Sequence, residues 1–188
     1  MSTAVHPVAT TSTWIIDPVH SNVEFAIRHL MITTVRGRFT DVQGTVVIDD
    51  ADPAKGSVDV TVGAASIDTR EPQRDAHLRS ADFFDVEKFP TITFRSTAIR
   101  DVADDGFTLV GDLTIHGVTR EVVLDATSEG RARDPWGGDR AGFHATTKIK
   151  RSDFGLTWNQ LIETGGLAVA DDVKITLDVQ LVKKVEQG

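Results

Sequence analysis

Apolar and polar residues alternate with a period of two along nearly the whole chain, and no other feature constrains the fold as much. Val23, Phe25 and Ile27 alternate with Asn22, Glu24 and Arg28. Val42, Val46 and Ile48 share one parity, with Gly44 between them, and Val58, Val60 and Val62 alternate with Asp59 and Thr61. Ile92 and Phe94 follow, then Phe107, Leu109, Leu113 and Ile115, then Val122 and Leu124. Phe143, Ala145 and Ile149 alternate with His144, Thr146 and Lys148; Val173, Ile175, Leu177, Val179 and Leu181 form the cleanest set. Successive side chains of a strand point to opposite faces, so the pattern describes antiparallel strands buried on one side and wet on the other. About eight strands fit the template.

The turn residues agree. Asp104-Asp105-Gly106 and His116-Gly117 lie between alternating runs and read as hairpin turns. Gly37, Gly44, Gly63 and Gly111 fall inside strand patterns, where glycine permits the sharp bends that a closed barrel requires. Phe39 is out of parity with Val42, so a bulge is expected near Asp41. The one convincing helix is short, Pro72 to Ser80: Pro72 suits a first turn, and Asp75 is spaced to pair with Arg79. Leu161 to Ala170, apolar and glycine-containing, reads as a flap. Residues 1–12 read as a disordered tail and 13–184 as a single domain, without repeat, linker or break. The expected fold is all-β: an antiparallel barrel of about eight strands with one short helix, whose interior is either packed solid or holds one small ligand.

The stretch from His77 to Phe94 carries the strongest functional signal. Phe83 and Phe84 sit side by side in a non-periodic segment, with Phe89-Pro90 just before a strand. Large rings in a connecting segment need an apolar surface to bury against, and Pro90 can start a strand but not sit inside a central one. The segment therefore reads as an aromatic lid over an open end of the sheet, which suggests a container.

Composition narrows the function classes. The net charge of −8, with no basic stripe, argues against nucleic acid as a partner. The absence of cysteine excludes thiol catalysis, disulfides and thiolate metal sites. No apolar run is long enough to span a bilayer, and the first residues lack the basic start and apolar core of a signal peptide, so a cytoplasmic location without a transmembrane segment is expected. No GxSxG, HExxH or P-loop occurs, and the six histidines lack paired metal-ligand spacing. Asp17, His20 and Ser21 are close in sequence, but a catalytic triad is a matter of geometry in space. No catalytic or metal-binding residue is expected.

Five segments, in this order, carry a resemblance: WIIDPVHSNVEFAIRHL at 14–30, VRGRFTDVQGTV at 35–46, RDAHLRSADFFDVEKFPTITF at 74–94, GDLTIHGVTR at 111–120 and IKRSDFGL at 149–156. With these the chain resembles the YceI-like, polyisoprenoid-binding family from about Trp14 to Lys183. The resemblance implies a lipocalin-like barrel around an apolar tube. It implies non-covalent binding of long isoprenoid or amphipathic lipid chains by non-enzymatic carriers or storage proteins, often dimeric, so a homodimer is among the expected partners. Many members carry a secretion signal, which this chain is expected to lack.

Parity and resemblance together nominate a ligand-binding set. From the strands come Phe25, Ile27, Phe39, Val46, Ile48, Val60, Val62, Ile92, Phe94, Leu109, Leu113, Phe143, Ile175 and Leu177; from the covering segments come His77, Phe83, Phe84 and Trp158. At any one strand position plain core packing is the simpler account. Trp136 and Trp158 both fall in loops suited to a cavity rim. His77 is expected to hold the lid by bonding a backbone carbonyl, or else to meet a lipid head group. No cofactor is expected beyond a bound polyisoprenoid, prenylated quinone or fatty-acid-like lipid. The rival function is an enzyme acting on an apolar substrate, with a histidine and a carboxylate near the lid, both facing the cavity.

Overall fold

The strands wind into a closed ring. In this computed structural model, which describes residues 11–163 and 165–185, eleven strands lie among the described residues. They are β1 (Thr11–Ile16), β2 (Asn22–His29), β3 (Thr33–Phe39), β4 (Val42–Asp49), β5 (Ser57–Gly63) and β6 (Ile67–Asp68). After the helix α1 (Pro72–Arg79) come β7 (Thr91–Arg100), β8 (Gly106–Ile115), β9 (Val118–Arg133), β10 (Asp139–Lys150) and β11 (Val169–Lys183). All pairings are antiparallel, and β1 closes the ring on β11 with Trp14 facing Lys183 and Ile16 facing Leu181. Residues 1–10, most of the expected tail, lie outside the described residues; Thr11 and Ser12 already belong to β1.

Eleven segments fill only eight positions around the barrel. β1 and β2 both run antiparallel to β11, one along each part of it, so they are two halves of one bent strand. β3 continues into β4, and β5 into β6, in the same way. The first two breaks have a local cause. Pro18 has no N–H to give a neighbouring strand, and the Asp17 carboxylate instead accepts the Val19 N–H at 3.0 Å. At Thr40–Asp41 the chain steps across one residue, and Gly63 N–H bonds Asp41 O at 2.9 Å. That step lets Phe39 and Val42, of opposite parity, both face inward, as the sequence required. The His116-Gly117 turn places both residues at positive φ, 53° and 73°, the geometry of a two-residue hairpin.

The helix matches its expected place, with Ser80 as its C-cap. The Asp75–Arg79 pair does not form. Asp75 is buried and accepts from the Thr69 N–H at 2.9 Å and its hydroxyl at 2.6 Å, while Arg79 donates to the Ala65 and Ile67 carbonyls. Tertiary partners outcompete the pair one turn along the helix, because a buried carboxylate must be satisfied. The flap expected to reach Ala170 ends sooner, since β11 starts at Val169.

Candidate ligand-binding site

The barrel holds a cavity of about 680 Å³. Its walls are the inward parity of the strands. Phe25 and Ile27 of β2, Phe39 of β3, and Val46 and Ile48 of β4 line one side. Val60 and Val62 of β5, Ile92 and Phe94 of β7, and Leu109 and Leu113 of β8 line the next. Phe143 of β10 and Ile175 and Leu177 of β11 complete the circuit. His77, Phe83, Phe84 and Trp158 line it from the covering segments, so every residue nominated from the sequence borders this space. Trp136 does not: it sits 88% exposed in the β9–β10 turn.

The lid is built from its backbone outward. Glu71 caps α1, accepting the Gln73 and Arg74 N–H groups, and Pro72 occupies the first turn, where no N–H is needed. Beyond the helix, Phe84 N–H bonds Leu78 O and Val86 N–H bonds Arg79 O, which folds the chain back across the barrel end. Phe83 is buried there, and the Phe84 ring meets Phe39 edge-on at 5.9 Å. His77 stands 5.1 Å from Phe83 and 4.7 Å from Trp158, and Phe83 stands 5.2 Å from Trp158, making a triangle of rings. His77 Nε2 meets an Asp82 carboxylate oxygen at 2.8 Å, in place of the expected backbone carbonyl. Phe89 closes the segment against His116, 4.6 Å between rings.

Arg151 holds the second flap. Its guanidinium is buried and donates to the carbonyls of Leu156, Ala170 and Trp158 at 2.7, 2.8 and 2.9 Å, and of Val169 at 3.3 Å. Burial pulls its pKa below the usual arginine value, opposed by the charge of Asp171. Asp171 in turn is held low by the Ser152 hydroxyl, against partial burial. The residues RSDFGL thus form an anchor that carries Trp158 over the cavity.

The far end is closed differently. A bulge pairs Gly142 with Gly130 and Phe143 with Ser128, skipping Glu129, and Gly130 takes φ +103°. The skipped residue reverses the parity of β9, so Arg131 joins the inward set. It lies 5.6 Å over the buried Trp14 ring and pairs with Asp50 at 2.7 Å. Sequence reading missed this plug; Gly130 inside a strand pattern was its only signal. It also missed Thr69, Arg74 and Ser128, which border the cavity as polar residues. Thr147 lines the wall, with its hydroxyl donated to Val123 O.

Of the histidine–carboxylate pairs His77–Asp82, His20–Asp17 and His144–Asp178, none has both partners on the cavity lining. Asp82 does not line the cavity, and its side chain is 55% exposed. His20 bonds Asp17 at 2.9 Å, but the Ser21 hydroxyl bonds Gln180 O instead. Partial burial disfavours the Asp17 carboxylate, yet hydrogen bonds from His20 and the Val19 N–H outweigh it and hold its pKa low. Among the described residues no three His, Asp or Glu side chains gather to hold a metal, and no helix is long and apolar enough to cross a membrane.

Known proteins share this architecture. The sequence profile of the YceI-like domain matches residues 14–181. Protein YceI from Escherichia coli is 46% identical over 137 residues, spanning 73% of this chain and 71% of that one. The crystal structure of BcnA from Burkholderia cenocepacia superimposes with a TM-score of 0.77 at 26% identity, covering 88% of this chain and 98% of that one. A polyisoprenoid binding domain from Saccharophagus degradans, implicated in plant cell wall breakdown, has the same fold, with a TM-score of 0.68 at 16% identity over 91% of this chain and 98% of its own. The chain belongs to the YceI-like family.

Proposed function

We propose that this YceI-like barrel binds a long-chain isoprenoid, a prenylated quinone or another amphipathic lipid without forming a bond to it, and that the protein carries or stores the lipid without transforming it. The observation that carries the reading is the apolar cavity of about 680 Å³ inside the barrel, within the range of about 300–1,000 Å³ common to ligand pockets. Its walls are alternate strand residues, and polar side chains reach it mainly at the two ends. A hydrocarbon chain gains about 0.8 kcal/mol per buried CH2 there. Ordering of the flexible chain offsets much of this. Selectivity then follows from tube length and from the ends. Phe83, Phe84, His77 and Trp158 act as the cover. An enzymatic reading has less support, because Asp82, the carboxylate that reaches His77, stands outside the cavity.

Titration with a fluorescent prenyl analogue tests this through two adjacent residues on opposite faces. Leu124 borders the cavity, while Val123 is 50% exposed. Leu124→Asp should abolish binding or folding, since an unpaired charge on the inner face is costly to bury. Val123→Asp should leave binding intact. A chain that binds no analogue, or one in which Val123→Asp is the more damaging change, would contradict the reading.

A further inference from the structure

Two loops meet beside the lid. Leu30 N–H at the β2–β3 hairpin tip bonds Ala168 O at 2.8 Å, and Leu161 bridges Leu167 within the 160–168 loop. Together they expose large apolar side chains: Met31 at 61%, Ile32 at 73%, Leu161 at 85% and Leu167 at 50%. The hairpin tip is also strained. Leu30 and Met31 take φ of 50° and 59°, in a turn closed by Ile32 N–H to His29 O at 3.1 Å. Asn-Gly would adopt that turn freely. Bulky residues there are a departure that points to use.

The outer wall next to these tips is basic. Arg36 faces Ala26 across β2–β3, Ala26 faces Lys174 across β2–β11, and Lys174 faces Lys148 across β10–β11. Directly opposed residues share a face, so three cations stand in one row. One step nearer the lid are Arg28 and Lys150. The Arg28 guanidinium bonds the Met31 carbonyl at 2.7 Å, which ties it to the tip. Asp172 stands among these cations, 2.9 Å from Lys150 and 3.9 Å from Lys148. Asp171 and Asp153 also bear on Lys150, so the five cations outnumber the three nearby carboxylates in a chain of net charge −8. Exposed acids at its margin include Asp153 beside Lys150, Glu163 in the 160–168 loop, and Glu24, bonded to Asn22.

We infer that this end of the barrel docks on an anionic lipid bilayer. Met31, Ile32, Leu161 and Leu167 enter the interfacial layer, and Arg28, Arg36, Lys148, Lys150 and Lys174 face the headgroups. A second copy of the chain fits the surface poorly, because an isologous contact would set the five cations against their own images. Trp158, which borders the cavity, leads directly into the 160–168 loop, so the docked end is also the covered end of the cavity. The inference rests on the lipid-binding reading for its purpose only. Vesicle binding is read independently of what the barrel holds, so either can fail alone.

The test is sedimentation of the full chain with phosphatidylcholine vesicles and with vesicles of equal parts phosphatidylcholine and phosphatidylglycerol. Binding should appear with the anionic vesicles and weaken as salt is raised. The double variant Met31→Ser, Ile32→Ser should lower the partition constant about tenfold. Arg36→Gln and Lys174→Gln should each lower it about fivefold and flatten the salt dependence. All four positions are exposed, so melting temperatures should hold; the charge variants decide the matter if the tip variant melts early. Failure to bind anionic vesicles, or binding that neither variant pair alters, would overturn the inference. So would a dimer that the tip variant splits, which would assign the surface to a second copy.

Discussion

Phe25 lies directly opposite Gly37 across the β2–β3 pairing, and its ring occupies the space that a side chain on Gly37 would take: an added Cβ would stand 2.4 Å from the ring. The strand pair is thin where the cavity needs room, and the aromatic ring covers the exposed backbone of the glycine. The same ring stands 5.8 Å from Phe39, which continues to Phe84 of the lid.

Gly37→Ala should therefore move Phe25 into the cavity. Its other close neighbour, the Thr69 methyl at 2.9 Å, is also a side chain, so the barrel can yield. The expected loss of stability is about 1–2 kcal/mol, with a larger proportional loss of affinity for a prenyl analogue. Calorimetric titration beside a thermal melt checks this; unchanged affinity would mean that the ring turns elsewhere. Gly111→Ala should be worse for folding, because there the added Cβ meets the Arg95 carbonyl oxygen at 2.5 Å as well as the Phe94 ring.

The lid makes a kinetic prediction. Replacing Phe83 and Phe84 by alanine should speed release of a bound prenyl analogue more than it slows uptake, because differences among related complexes fall mostly in the off-rate. Phe83 is also core, so stability should fall by about 3–5 kcal/mol. Stopped-flow release run alongside thermal melts separates the two effects. A lowered melting temperature with unchanged release would reduce both rings to a structural plug.

Much of this was legible because strand periodicity is local. The parity of Phe25, Ile27, Phe94 and Leu177 directs each side chain inward whatever its partners are. The out-of-parity Phe39 foretold the step at Thr40–Asp41. What stayed hidden depends on partners outside the element that holds each residue. Asp75 is satisfied by Thr69 and not by Arg79, and Arg131 turns inward only because the bulge at Glu129 shifts the register of β9. RSDFGL carries part of the family resemblance, but its residues alone show no anchor. Only the fold brings four carbonyls around Arg151. The left-handed Leu30-Met31 tip had no sequence signal, since neither residue favours that conformation.

Arg151→Met should release the second flap. It removes the Arg151 donor from the Leu156, Trp158 and Ala170 carbonyls, while Val169 O keeps Asn159, and the expected loss is about 3 kcal/mol. Arg151→Lys should recover only part of it, because an ammonium cannot reproduce the planar fork of donors. Hydrogen exchange localises the effect: protection should fall from 156 to 170 in both variants. A global loss of stability with protection unchanged there would show that Arg151 does not anchor Trp158.

The most direct test of the account is mass spectrometry of lipid extracted from the protein purified without added ligand. The account predicts a long-chain isoprenoid or similar amphipathic lipid, present near one per chain and depleted in Leu124→Asp protein that remains folded. Protein that carries no such lipid, and that takes up none when offered prenyl chains of graded length, would contradict it.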